Sequence, residues 1–198
     1  MRNRILFFCL LLLCIIQNSK AQVTDNFTDG DFTNNPTWVG GTGDWIVNPA
    51  FQLQSNNTIA NSTYYLSSVN TLATSAQWEF YCQLTFNPSS ANYVDVYLTA
   101  SASNITLSAT TGYFVRIGNT DDEISLYRKD ATGAAVKIID GVNGILNSSS
   151  NVMKIKVFRN TANQWNLSRD LSGTGASYFN EGVVTDATYL TSAFFGLL

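Results

Sequence analysis

The chain is predicted to fold as an all-β, two-sheet antiparallel sandwich. Residues 77–86 alternate strictly, with Trp78, Phe80, Cys82, Leu84 and Phe86 on one side and Glu79, Tyr81, Gln83 and Thr85 on the other. Period two over that length marks a strand with one buried face. Similar segments recur along the chain, separated by Gly, Asn and Asp turns, as in sandwiches and barrels. No segment keeps a helical period over three turns.

The segments follow in order. In residues 93–100, Val94, Val96, Leu98 and Ala100 point inward, and Tyr93, Asp95, Tyr97 and Thr99 outward. Residues 112–118 carry Val115 and Ile117 on one face, and the polar turn 119–122 leads into 123–129. A short segment, 136–139, is closed by Asp140-Gly141. Residues 152–159 place Met153, Ile155 and Val157 inside and Lys154 and Lys156 outside, and 164–170 puts Trp165 and Leu167 on one face. Residues 177–184 and 189–198 complete the series. The alternation predicts burial of Trp78, Phe80, Leu84, Val94, Val96, Val115, Ile117, Ile155, Val157 and Trp165, with Trp38 and Trp45 joining the core. Segment 192–198 stops in mid-pattern. That predicts a domain truncated at its C-terminal strand, with an unpaired edge there.

Arg2 and Arg4 precede a twelve-residue apolar run, residues 5–16, and a polar stretch ending in Ser-Lys-Ala. This is the layout of a cleaved signal peptide over residues 1–21. The run is too short for a membrane span, which needs roughly 20 residues. The expectation is a secreted or cell-surface protein whose mature part, 22–198, is one domain with no later membrane span. Cleavage leaves 8 basic residues against 14 acidic ones, a net charge of −6. That sign argues against nucleic acid as a partner. Cys82 is the one cysteine after cleavage, so no internal disulfide framework is possible. In an exported chain this favours a bacterial domain held together by its core.

The stretches Gly112-Tyr113-Phe114-Val115-Arg116-Ile117-Gly118, Ile124-Ser125-Leu126-Tyr127-Arg128, residues 153–159, Trp165-Asn166-Leu167 with Asp170, and Ala193-Phe194-Phe195-Gly196 resemble concanavalin A-like, laminin G-type domains. The opening residues 25–32 with Pro36, Trp38 and Trp45 are similar to the N-terminal domain of secreted bacterial proteins that carry a lamin-tail domain. The resemblance implies a concanavalin A-like jelly roll, non-catalytic, within a larger surface or secreted protein.

The sequence has no histidine, which excludes Ser-His-Asp and Cys-His catalysis and histidine zinc sites. Concanavalin A-like folds also host glycoside hydrolases, so paired carboxylates must be weighed. If residues 77–86 and 93–100 form a hairpin, Glu79 and Asp95 share a face about 13 Å apart. Glycosidases need about 5–9.5 Å. The same face suits binding better. Tyr81, Gln83, Tyr93, Asp95, Tyr97 and Arg116 are the candidate ligand-binding residues, with Phe114 beside Arg116. Aromatic faces stack on sugar rings and planar polar groups bind hydroxyls, so a glycan or surface protein is the expected partner. The competing expectation is a structural spacer whose tyrosines form ordinary cross-strand pairs. Asp25, Asp29 and Asp31 are candidate calcium ligands, although three carboxylates fall short of the six to eight oxygens calcium takes. Asp29-Gly30 alternatively reads as a turn.

Overall fold

The computed structural model describes residues 23–198; the predicted signal peptide, residues 1–21, lies outside them. In chain order the strands are β1 (Trp38–Gly40), β2 (Trp45–Val47), β3 (Leu53–Ser55), β4 (Leu66–Val69), β5 (Ala76–Leu84), β6 (Tyr93–Ala100) and β7 (Gly112–Gly118). They continue as β8 (Glu123–Lys129), β9 (Val136–Ile139), β10 (Asn151–Arg159), β11 (Gln164–Asp170), β12 (Phe179–Thr185) and β13 (Phe194–Leu197). Among the described residues the one helical element is a 3-10 turn, Thr42–Asp44, and none is a helix long and apolar enough to cross a membrane.

Two antiparallel sheets face each other. One has seven strands in the order β1-β4-β13-β6-β7-β8-β9; the other has four, β12-β11-β10-β5. A small β2–β3 hairpin stands apart. The inward side chains expected from alternation meet between the sheets. Trp78, Leu84, Val96, Val115, Ile117, Ile155, Val157 and Trp165 are buried, and Phe80 and Val94 pack against them half-buried. Trp78 and Trp165 stack with ring centres 5.7 Å apart. Each such aliphatic or aromatic side chain contributes about 1.5–3 kcal/mol when fully removed from water. Trp38 is buried as expected, whereas Trp45 is half-buried against Tyr64.

One sequence expectation about topology is overturned. Residues 85–92 do not close a hairpin between β5 and β6; they carry the chain from the four-stranded sheet to the seven-stranded one. Pro88, which has no N–H for a ladder, is buried instead against Gly118. A Cβ at Gly118 would lie 2.6 Å from the Pro88 Cβ, and its φ of +99° is itself a glycine conformation. Among the described residues β5 therefore pairs only with β10, Tyr81 opposite Lys154, and β6 pairs with β7 and β13.

The last segment is likewise not an edge. β13 lies between β4 and β6, and Leu198 prolongs the ladder by exchanging two backbone hydrogen bonds with Asp95 at 2.9 and 3.0 Å. The edges of the two sheets are β1, β9, β12 and β5. At one flank β9 meets β12, Gly182 beneath Ile139, and Glu181 there is buried against Arg169.

A polar knot holds one end of the sandwich. The carboxylate of Asp186 accepts from the Tyr113 hydroxyl at 2.5 Å, from Arg128 Nη1 at 2.7 Å and from the Thr188 N–H at 2.9 Å. Its carbonyl accepts from Arg159 and from Trp165 Nε1. Burial works to raise the Asp186 carboxyl, but the Tyr113 hydroxyl, the Thr188 backbone and Arg128 override it and hold it at about 2. A carboxyl lowered on folding stabilises the protein above its unfolded pKa and loses that contribution as pH falls through its folded one. The charge on Asp186 should therefore contribute about 2 kcal/mol at pH 7 that disappears between about pH 4 and pH 2. Urea denaturation of Asp186→Asn at pH 7 and at pH 2 checks this: the gap from the unsubstituted protein should narrow at the lower pH. A gap independent of pH would contradict it.

Candidate functional site

β6 and β7 build the site on the face of the seven-stranded sheet that points away from the core. Alternation that sends Val94, Val96, Val115 and Ile117 inward sends Tyr93, Asp95, Tyr97, Phe114 and Arg116 outward. The register sets Asp95 opposite Arg116 and Tyr97 opposite Phe114, and the next ladder sets Phe114 opposite Tyr127. Tyr97, Phe114 and Tyr127 stack in a row, with centroid spacings of 4.9 and 5.2 Å.

This face is not open. Tyr97 and Phe114 are 3% and 1% exposed, because Tyr65, Ile105, Ala135, Phe194 and Leu198 cover them as a second small core. Tyr97 pairs across strands with Phe114 and not with Tyr81, which lies on the other sheet. Burial raises the Tyr97 phenol above its ordinary range, helped by the nearby Asp95 carboxylate.

What stays accessible is a pocket of about 240 Å³ at the end of the aromatic row. Tyr93, Asp95, Tyr97, Phe114, Arg116 and Lys129 line it, with Thr63, Thr106 and Leu198 from the surrounding segments. Ligand pockets for drug-sized molecules run about 300–1,000 Å³, so this one has room for about one ring. Asp95 and Arg116 form a bidentate pair, Nε to Oδ1 and Nη2 to Oδ2, both at 2.8 Å. The guanidinium carbon lies 4.2 Å from the Tyr93 ring centre, 5.1 Å from Tyr127 and 5.4 Å from Phe114. Burial pushes the Asp95 carboxyl up, with Arg116 opposing. Burial alone would lower Arg116, but Asp95 keeps it raised and charged.

Four of the six expected ligand-binding residues come together here: Tyr93, Asp95, Tyr97 and Arg116. Tyr81 and Gln83 do not. They sit on the outer face of the four-stranded sheet, where the Tyr81 hydroxyl contacts Gln83 Oε1 at 3.3 Å. Glu79 shares that face and is held by Lys154 and Lys156 at 2.8 and 3.4 Å. Glu79 and Asp95 thus belong to different sheets, not to neighbouring strands as expected.

Lys129 was not legible as a site residue, because it ends β8 well away in sequence from β6. Its Nζ makes a 3.3 Å contact to the Ser108 carbonyl.

The three acidic residues expected to hold calcium do not converge. Asp25 accepts from Trp38 Nε1 at 2.8 Å and from the Phe27 N–H at 2.9 Å. Asp29 accepts from the Asp31 N–H, and Asp31 from the Thr33 N–H and hydroxyl and from Asn34. These are carboxylates closing their own turns, and the Thr33 backbone is the main cause of an Asp31 carboxyl lowered to about 2. Among the described residues no three acidic or cysteine side chains gather as a cation site.

No family model and no curated protein matches the chain. Solved structures do. The carbohydrate recognition domain of Emp46p, in a potassium-bound form, is similar at a TM-score of 0.52 with 9% identity, over 88% of this chain and 86% of that one. The VIP36 exoplasmic/lumenal domain, in a Ca2+/Man-bound form, is similar at a TM-score of 0.47 with 11% identity, over 81% and 73% of the two chains. The fold is that of a concanavalin A-like β-sandwich, as the strand order and this likeness indicate.

Proposed function

We propose that this domain is a non-catalytic recognition module that binds a glycan in the pocket bounded by Tyr93, Arg116 and Lys129. In this reading it acts outside the cytoplasm, as an adhesive part of a larger surface or secreted protein. The likeness of the 1–21 segment to a signal peptide and of the opening residues to lamin-tail-containing proteins supports that setting. Sharing a sandwich with the carbohydrate recognition domain of Emp46p fits sugar binding, but one fold hosts many activities. The observation that carries the proposal is the pocket itself: an arginine fixed by a bidentate carboxylate against the ring of Tyr93, beside a pocket of about 240 Å³.

The same geometry supports the non-catalytic reading. Among the described residues Asp95 is the one acidic side chain lining the pocket, and Arg116 engages both its oxygens. A hydrolase needs a second carboxyl about 5–9.5 Å away.

A glycan array probed with the purified protein, followed by titration of the best ligand, tests the proposal. Tyr93→Ala should weaken binding about five- to tenfold, by analogy with other aromatic contacts of about 1 kcal/mol, while leaving the thermal midpoint nearly unchanged. Tyr81→Ala should leave affinity as it was. No binding across the array would favour a structural spacer. Release of reducing sugar, abolished by Glu79→Gln, would favour a hydrolase.

A further inference from the structure

We infer that the pocket selects a sugar ring carrying a carboxylate, a uronic acid, over its neutral counterpart; this rests on the glycan reading above. The distribution of charge in the site carries the inference. A guanidinium has five N–H donors, and Asp95 takes two of them, from Nε and Nη2. The Nη1–Nη2 edge of Arg116 is left without a partner among the described residues, and the Arg116 side chain is 20% exposed. That edge has the parallel two-donor geometry that a carboxylate accepts bidentately.

Lys129 adds a second cation to the same lining. It makes no ion pair among the described residues, its contact being the neutral Ser108 carbonyl. Each of the other lysines seen in ion pairs, Lys137, Lys154 and Lys156, is engaged by Asp or Glu. Of the side chains lining the pocket two are cationic and one is anionic, so with Asp95 neutralising Arg116 the side chains leave one positive charge, in a domain whose mature net charge is −6. A neutral sugar is less well served. The strong acceptors it wants for its hydroxyls would come from Asp95, which is 2% exposed and already doubly engaged. Tyr93 supplies the flat surface beside the ring, and Phe114 and Tyr127, together with Asp95, hold the guanidinium in place before any ligand arrives. Holding a donor in its bound orientation reduces the ordering cost of binding.

Calorimetric titration of the purified protein with oligogalacturonate and with the matching neutral galactan oligosaccharide tests this. The uronate should bind at least tenfold more tightly at low salt, and the advantage should shrink as salt rises. Lys129→Gln should lower uronate affinity about five- to tenfold, well beyond any loss for the neutral sugar, while Lys129→Arg retains the preference. Circular dichroism of both variants establishes that they fold. Neutral sugar bound as tightly as uronate, or a Lys129→Gln variant that keeps the full preference, overturns the charge selection while leaving the glycan site standing. If neither oligosaccharide binds and the array is also blank, the site reading falls with it.

Discussion

Arg159→Ala should cost at least about 4 kcal/mol of folding stability, a large share of the roughly 5–15 kcal/mol a domain possesses. The side chain is fully buried at the end of β10. Nη1 donates to the Ala73 and Tyr189 carbonyls, both at 2.8 Å, and Nη2 to the Asp186 carbonyl at 3.1 Å. The guanidinium also lies over Trp165 and Tyr113, 4.6 and 5.2 Å from their ring centres. Burial lowers its pKa, so the charge is held at an energetic cost that the three carbonyls offset. Removing it leaves those acceptors without their charged donor and opens a cavity under Trp165; each lost hydrogen bond to a charged group costs about 1.5–3 kcal/mol. Arg159→Lys should recover little, because one ammonium cannot reproduce a planar fork aimed at three separate segments. Denaturant unfolding gives the difference directly, and a loss below about 1.5 kcal/mol for the alanine variant would show that the three segments are held by other contacts.

Asp95→Ala should destabilise by about 3 kcal/mol and also abolish binding. Breaking a buried ion pair from one side costs about 3–5 kcal/mol, and the 20% exposure of Arg116 places this pair at the lower end. The effect should be specific to the unpaired charge. Asp95→Ala combined with Arg116→Met should be more stable than the sum of the two single losses, by about 1 kcal/mol or more. Binding should not return in the double variant, because the arginine is the contacting group. Additive losses would mean that the pair contributes no mutual stabilisation, and its role as the rigid floor of the pocket would have to be abandoned.

The long strands were legible because alternation over seven or more residues has a phase that can be counted. β6, β7, β8 and β11 fall where the pattern places them, β5, β10 and β12 within two residues of it, and the four-residue β9 was marked by its closing Asp140-Gly141 turn. β1, β2, β3 and β4 were not legible: three or four residues carry no measurable period. Which strands pair was hidden too. The 85–92 connection has the composition of a hairpin turn, and it is the strand order of the folded chain, with Pro88 packed on Gly118, that shows it crossing between sheets. That single difference moved Tyr81 and Gln83 out of the site and left Tyr93, Asp95, Tyr97 and Arg116 in it. The outward phase of Asp95 and Tyr97 was correctly read from alternation, but their burial depends on segments far away in sequence, Tyr65, Ile105 and Leu198 among them. Arg159 did leave a signal. It continues the inward phase of Met153, Ile155 and Val157, and an arginine on the core side of a strand marks a buried charge that needs partners.

Nuclear magnetic resonance mapping of amide shifts, on the isotopically labelled protein titrated with its best array ligand, locates the site without any substitution. The perturbed amides should cluster at Tyr93, Asp95, Arg116, Thr106 and Lys129 around the pocket on the seven-stranded sheet. Shifts confined instead to Tyr81, Gln83 and their neighbours on the four-stranded sheet would contradict the assignment of binding to this pocket.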